Sequence, residues 1–464
     1  MMRIIFITIF LICLMCSFIH ATDETIRFGR FGTVTLYRSS PHPTNVVLFV
    51  SGDGGWNKGV VDMARALSSL DALVVGIDIR RYLGEFKSSS EACSYPAADF
   101  EMLSKFVQKK LDFPKYRHPV LVGYSSGATL VYAVLVQAPP NTFLGAVSLG
   151  FCPDLQLTKP LCKGNGLEWK VGPKGKGYIF LPATGLKNPW VALQGTIDQV
   201  CDSEATEAYV KQVKDGEIIL LPKVGHGFSV PRNWMTQFKE AFARITEKEK
   251  TDLSASVDEL KDLPLVEVPS AGKDSNVLAV IISGDGGWAG IDRELGNTIA
   301  SHGIPVVGLN SLYYFWTRRT PGGSAKDLER IILHYLSAWH KERVILIGYS
   351  LGADVLPFMV NRMPEEILKK VQVTALLGLD KTADFEFHIT DWVDGAHAKT
   401  SLPVYPELEK LKELKVLCFY GKEEEDILCK SLKQSTAKVI PLKGAHHFGG
   451  DYKAIAEIIL KEMK

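Results

Sequence analysis

The chain has 464 residues, 46% of them hydrophobic and 23% charged, with a formal net charge of +1. That length exceeds one ordinary core and predicts two or more domains, and the composition is that of a folded protein rather than a disordered one. A near-neutral balance gives no global electrostatic footprint for nucleic acid, so neither DNA nor RNA is expected as a partner.

The first element is MMRIIFITIFLICLMCSFIHA, in which Arg3 precedes an apolar run from Ile4 to Ile19 and Ala21 offers a small residue for cleavage. This is the layout of a secretory signal peptide over residues 1–21 and predicts export; an uncleaved membrane anchor is the alternative. Neither Cys13 nor Cys16 follows a small residue, so no lipoprotein box is read. No later stretch is long and apolar enough to span a bilayer. Beyond the leader stand Cys93, Cys152, Cys162, Cys201, Cys418 and Cys429, an even set that suits disulfides in an oxidising compartment. The second half holds only Cys418 and Cys429, a disulfide candidate if that half folds alone. Beyond the leader, C-x-x-C or H-x-x-x-H spacing is missing, so no metal is expected.

From residue 45 the elements alternate. A strand-like NVVLFV (45–50) runs into SGDGGW (51–56), then a helical pattern, GVVDMARALSSL (59–70). ALVVGIDIRRYL (72–83) and the helical AADFEMLSKFVQKKL (97–111) follow, then a strand, HPVLV, that enters GYSSG (123–127) and a helix-like ATLVYAVLV. GAVSLGF (145–151), WVALQG (190–195) with Asp198 beyond it, and KVGHGF (223–228) complete the series. After a charged, Ser-rich stretch with Pro264 and Pro269, the order returns: NVLAVIISGDGGW (276–288), IPVVGLNSLYYFW (304–316), the helical AKDLERIILHYLSAWH (325–340), ERVILIGYSLGADVL (342–356), TALLGLD (374–380), KVLCFYGKEEEDILC (415–429) and GAHHFGG (444–450). Each unit is roughly 200 residues, far above solenoid periods, so these are tandem domains. The expected layout is a leader at 1–21, a first domain at 22–246, a linker at 247–272 and a second domain at 273–464. Apolar strands alternating with amphipathic helices predict an α/β fold, each domain a mostly parallel sheet with helices on both faces.

Strand, G-x-S-x-G, helix is the context of a nucleophile elbow, and it occurs twice, at Ser125 and Ser350. A serine hydroxyl needs a base, and the base an orienting carboxylate, in the chain order Ser, Asp, His for this fold. The first unit offers Asp198 and His226. In the second, matching D-x-x-C in the two units selects Asp426, with Glu424 and Glu425 as stand-ins, and His446 ahead of its neighbour His447. SGDGGW lacks a following G-K-[ST], which disfavours a phosphate loop. It stands where such hydrolases place half of the oxyanion hole, so Gly54 and Gly286 are expected to act with the amides of Ser126 and Leu351. Asp53 or Asp285 would bind a cationic group or fix the loop. Trp56 and Trp288 would wall a pocket, or be core residues.

SGDGGW, NSLYYFWTRRTP (310–321), GYSLGAD and GAHHFGGDY (444–452) together resemble the VirJ/AcvB family of bacterial virulence proteins, exported α/β-hydrolases, and the two-unit layout is like its AcvB members. The resemblance implies a periplasmic esterase that removes the aminoacyl group from aminoacyl-phosphatidylglycerol, lysyl-phosphatidylglycerol above all, at the membrane surface and without a cofactor. It carries the catalytic roles onto Ser350, Asp426 and His446. The first unit departs from the pattern, with IDIRRYL for NSLYYFW and Thr129 for Asp354, yet it retains Ser125, Asp198 and His226. Asp285, Trp288, Asp354 and Trp316 are then expected at the substrate, the acids opposite its ammonium. A carboxylesterase or thioesterase on another envelope ester is the alternative enzyme. A non-catalytic adaptor that partners a secretion system is the alternative outside enzymes.

Overall fold

Segments such as NVVLFV and VLAVII have no charge to solvate and favour extended backbone through their β-branched residues, so they form strands buried on both faces. The computed structural model describes residues 24–87, 91–252, 260–272, 275–388, 401–433 and 435–463. The expected leader lies outside them. No helix among the described residues is long and apolar enough to cross a membrane.

Two sheets carry the molecule. The first runs in the order Glu24–Phe28, Gly32–Tyr37, Ala72–Ile77, Asn45–Val50, Pro119–Tyr124, Gly145–Leu149, Trp190–Gly195, Gly216–Leu221. Its first two pairings, Glu24–Phe28 with Gly32–Tyr37 and Gly32–Tyr37 with Ala72–Ile77, are antiparallel, and every later pairing is parallel. The second runs Leu265–Val268, Val306–Leu309, Val277–Ile282, Arg343–Tyr349, Val371–Leu377, Val416–Gly421, Lys438–Leu442, antiparallel only at Leu265–Val268. Helices cover both faces in each unit. Lys58–Ser68 and Met235–Asp252 bury Val60, Leu67, Phe238 and Phe242 on one side of the first sheet. Pro96–Lys110 and Ser126–Gln137 bury Phe100, Leu103 and Leu130 on the other. This is the expected α/β architecture, written twice.

The expected linker at 247–272, read with helical content at its start, belongs where it is described to the units on either side. The helix Met235–Asp252 runs through its start, and Leu265–Val268 is the edge strand of the second sheet. Leu260 and Leu263 are core residues of that unit. Pro264, read as a sign of a linker, sits just before the edge strand, where a missing amide costs no ladder bond, and its carbonyl accepts the N–H of Asn310.

The two units touch through the aromatic run of the second. Trp316 donates its indole N–H to the carbonyl of Phe113 at 2.7 Å, while Lys109 Nζ reaches the Trp316 carbonyl at 2.5 Å and Glu386 at 3.2 Å. Tyr116 and Phe387 pack on the indole.

Candidate active site

Each elbow begins where a central strand ends. Ser125 follows Pro119–Tyr124 with φ 56° and ψ −124°, and Ser350 follows Arg343–Tyr349 with φ 52° and ψ −122°. A left-handed serine between strand and helix is strained, and the surrounding packing has to hold it there. The flanking glycines make that packing possible. A side chain on Gly123 would stand 2.2 Å from the Gly127 carbonyl oxygen, and one on Gly352 would stand 2.1 Å from that of Ile282. Ser126 and Leu351 open the following helices, so their N–H groups have no partner inside the helix and lie beside the serine.

In the first unit all three groups meet. Ser125 Oγ lies 2.9 Å from His226 Nε2, and His226 Nδ1 lies 2.9 Å from Asp198 Oδ2. The buried Asp198 side chain also accepts the N–H groups of Val200 and Cys201 at 2.8 and 2.9 Å and the amide of Gln194 at 3.1 Å. These donors fix the carboxylate, which holds Nδ1 protonated and leaves Nε2 free to take the serine proton. A disulfide between Cys152 and Cys201 ties the acid turn to the loop after Gly145–Leu149, and Cys93 pairs with Cys162. The ring of His226 sits over Gly150, whose φ is +64°. Asp198, Cys201 and His226 bring donor atoms within 4.8 Å of one another, but the Cys201 sulfur is held in its disulfide and offers no thiolate to a metal.

The second unit repeats this frame with one correction. The carboxylate on His446 Nδ1 is Glu424, at 2.7 Å, and not Asp426. Asp426 is 84% exposed and pairs with Lys381. Glu424 is third after the strand-final Gly421, as Asp198 is third after Gly195, and the turn bonds agree: Glu424 N–H to the Gly421 carbonyl matches Asp198 N–H to Gly195. Two extra residues separate the acid from its cysteine in the second unit, so a match anchored on the cysteines slips by two. Glu424 Oε2 accepts the Gly421 N–H at 2.7 Å. His446 sits over Gly378, φ +69°, as His226 sits over Gly150. His447 turns away, with Nδ1 3.1 Å from the Tyr349 hydroxyl, and burial lowers its pKa. No hydrogen bond joins Ser350 to His446 among the described residues; such contacts commonly tighten only when substrate binds. Cys418 is bonded to Cys429.

Three further expectations change. Trp288 is 6% exposed and packs across Gly308 inside the core, so it does not face substrate. Trp316 is 2% exposed and belongs to the contact between units. In both cases an aromatic beside a motif is drawn inward by its apolar area. Within SGDGGW the first glycine makes the close approach: a side chain on Gly52 would stand 2.9 Å from Ser125 Cβ, and one on Gly284 would stand 3.5 Å from Ser350 Cβ. Gly54 and Gly286, expected at the oxyanion, are exposed on the outer part of the turn.

Acids crowd the second elbow. Asp354, in the first turn of Leu351–Val360, accepts the N–H of Asp380 at 2.7 Å. Burial, with Asp380, Asp285 and Asp384 nearby, pushes its carboxyl well above the usual range. Asp380 and Asp384 escaped the sequence reading; the signal was their place just beyond Val371–Leu377, where sites of such sheets form.

A family model described as "Bacterial virulence protein (VirJ)" matches residues 44–144 and 276–464. The chain belongs to the VirJ family. The match enters both units of this VirJ-family protein and spans its elbow motifs. No curated protein matches the chain. Among solved structures it is similar to Est1E from Butyrivibrio proteoclasticus, with 14% identity over 48% of this chain and 99% of that one and a TM-score of 0.34. It is similar to XC6422 from Xanthomonas campestris, a serine hydrolase without a lid, with 19% identity over 51% and 96% and a TM-score of 0.31. An α/β serine hydrolase homologue from Coxiella burnetii shares 17% identity over 49% and 97%, with a TM-score of 0.32.

Proposed function

We propose that this VirJ-family protein is an exported, periplasmic serine esterase whose second unit hydrolyses the aminoacyl ester of aminoacyl-phosphatidylglycerol, lysyl-phosphatidylglycerol above all. The observation that carries the reading is the acid-crowded elbow: a left-handed Ser350, a histidine backed by Glu424, and Asp354 beside them with its carboxyl pushed up by burial and then by neighbouring acids. An aminoacyl ester brings an ammonium next to the scissile carbonyl, and a lysyl group brings a second. A cation placed among Asp354, Asp380 and Asp285 relieves their repulsion and is held by it. Three disulfides suit a protein that works outside the cytosol.

In this mechanism Ser350 Oγ attacks the ester carbonyl while its proton passes to His446 Nε2, and Glu424 steadies the imidazolium. Amides of the loop and of Leu351 hold the oxyanion. The carbon–oxygen bond to the glycerol breaks, the leaving oxygen takes the proton from His446, and water then releases the amino acid and restores the serine. The test is release of lysine from vesicles containing lysyl-phosphatidylglycerol by the purified chain. Replacing Ser350 with Ala should lower the rate by about a thousandfold or more. Undiminished release from that variant refutes the reading.

A further inference from the structure

We propose that Ser125, His226 and Asp198 form a second, independent hydrolase site that takes uncharged esters with an apolar acyl group. The assignment does not rest on the role of Ser350.

The two sites share their machinery and differ around it. Thr129 stands where the second site has Asp354, and Cys152 where it has Asp380. Counted from the triad acid, Ile197 replaces Glu423 and Val200 replaces Asp426. Four acidic positions are therefore neutral in the first unit. The Thr129 hydroxyl turns to the carbonyl of Cys152 at 2.6 Å, and the Cys152 sulfur is committed to Cys201, so neither offers a charge to an ammonium. In their place the turns bearing Asp198 and His226 expose apolar side chains: Ile197 is 60% exposed, Val200 68% and Val230 42%. Ile197 and Val200 flank the triad acid in the chain, and Val230 lies four residues beyond the triad base, so the apolar exposure is concentrated on the segments that carry this triad. A cationic ester gains nothing there, whereas an acyl chain covers the rim and removes it from water.

The reaction balances without a co-reactant other than water. Ser125 Oγ attacks the acyl carbon and its proton moves to His226 Nε2. The bond to the alcohol breaks, the alcohol leaves with that proton, and the acyl group stays on Ser125. Water adds to the acyl-enzyme, giving its proton to His226, and the free acid departs with Ser125 restored.

The experiment uses the full chain with ethyl octanoate and lysine ethyl ester, following acid release from each, in wild type, Ser125→Ala and Ser350→Ala. Ser125→Ala is expected to lower octanoate hydrolysis by about 100-fold or more and to leave the lysyl ester within about 2-fold, with Ser350→Ala doing the reverse. Octanoate hydrolysis that survives Ser125→Ala, or that disappears only in Ser350→Ala, overturns the proposal while leaving the lysyl-lipid reading standing. A fluorophosphonate probe followed by peptide mapping gives a readout free of substrate choice: an adduct on Ser125 is expected, and its absence overturns the proposal. Val200→Asp tests the rim. It should keep the Ser125 adduct and lower kcat/KM for ethyl octanoate by about 10-fold, and an unchanged value overturns the apolar assignment.

Discussion

Glu424 and Asp426 lie two positions apart and have opposite surroundings. Glu424 holds His446 in place, while Asp426 is exposed with Lys381. Glu424→Gln keeps the shape but removes the charge that steadies the imidazolium, and kcat at the second site should fall by about a thousandfold or more. Asp426→Asn should leave it within about 2-fold, since surface ion pairs contribute little. Equal losses from the two would restore Asp426 to the triad. A different acid, Asp292, stands behind the loop. It is 2% exposed, takes the N–H of Gly284, and keeps Oδ1 without a partner among the described residues. Burial raises its carboxyl well above the ordinary value of 3.8. A group with a raised folded pKa favours the fold most while protonated in both states. Its contribution is therefore full below 3.8 and is lost as pH climbs through the folded value. Thermal melts of Asp292→Asn should thus show a flatter decline with rising pH than wild type, and a steeper one would reverse the sign.

At the scale of elements, the acid turn of the first unit is held by covalent means. Cys152–Cys201 joins the loop after Gly145–Leu149 to the turn whose Cys201 N–H binds Asp198. Replacing both cysteines with serine should cost about 2–4 kcal/mol of stability, read as a lower denaturation midpoint. It should also slow labelling of Ser125 while labelling of Ser350 proceeds as before. Parallel loss at both serines would show that the bond serves the whole molecule rather than the turn. The elbows and histidines were legible in the sequence because each is a local pattern of strand, turn and glycine with no long-range partner to guess. The acid of the second unit was not, because its turn changed length and only the strand register, fixed by hydrogen bonds to the neighbouring strand, says which carboxylate reaches the histidine. Trp316 was misread, and Trp288 was left between pocket wall and core, for another reason. A tryptophan beside a motif has two apolar faces to bury, and sequence does not tell a pocket wall from a core.

The whole molecule is two hydrolase-like units in contact through Trp316. Its indole is bonded to Phe113 and packed on Tyr116, while Lys109 spans to Glu386. Trp316→Ala removes the anchor of that contact without touching either triad. Thermal unfolding is expected to split into two transitions, because each unit has its own core and the coupling between them is lost. A single transition at the original temperature would place the coupling elsewhere.

The backbone of the two nucleophiles has a bearing on how such a chain diverges. A serine at φ near +50° is less comfortable there than glycine, by an amount on the order of 1–3 kcal/mol. A gene copy under selection for folding alone would drift toward glycine at that position, gaining stability as it lost its hydroxyl. Ser125 occupies the less stable choice in a unit where Thr129 and Cys152 stand in place of Asp354 and Asp380. A strained serine kept in that unit is what the proposed second site requires.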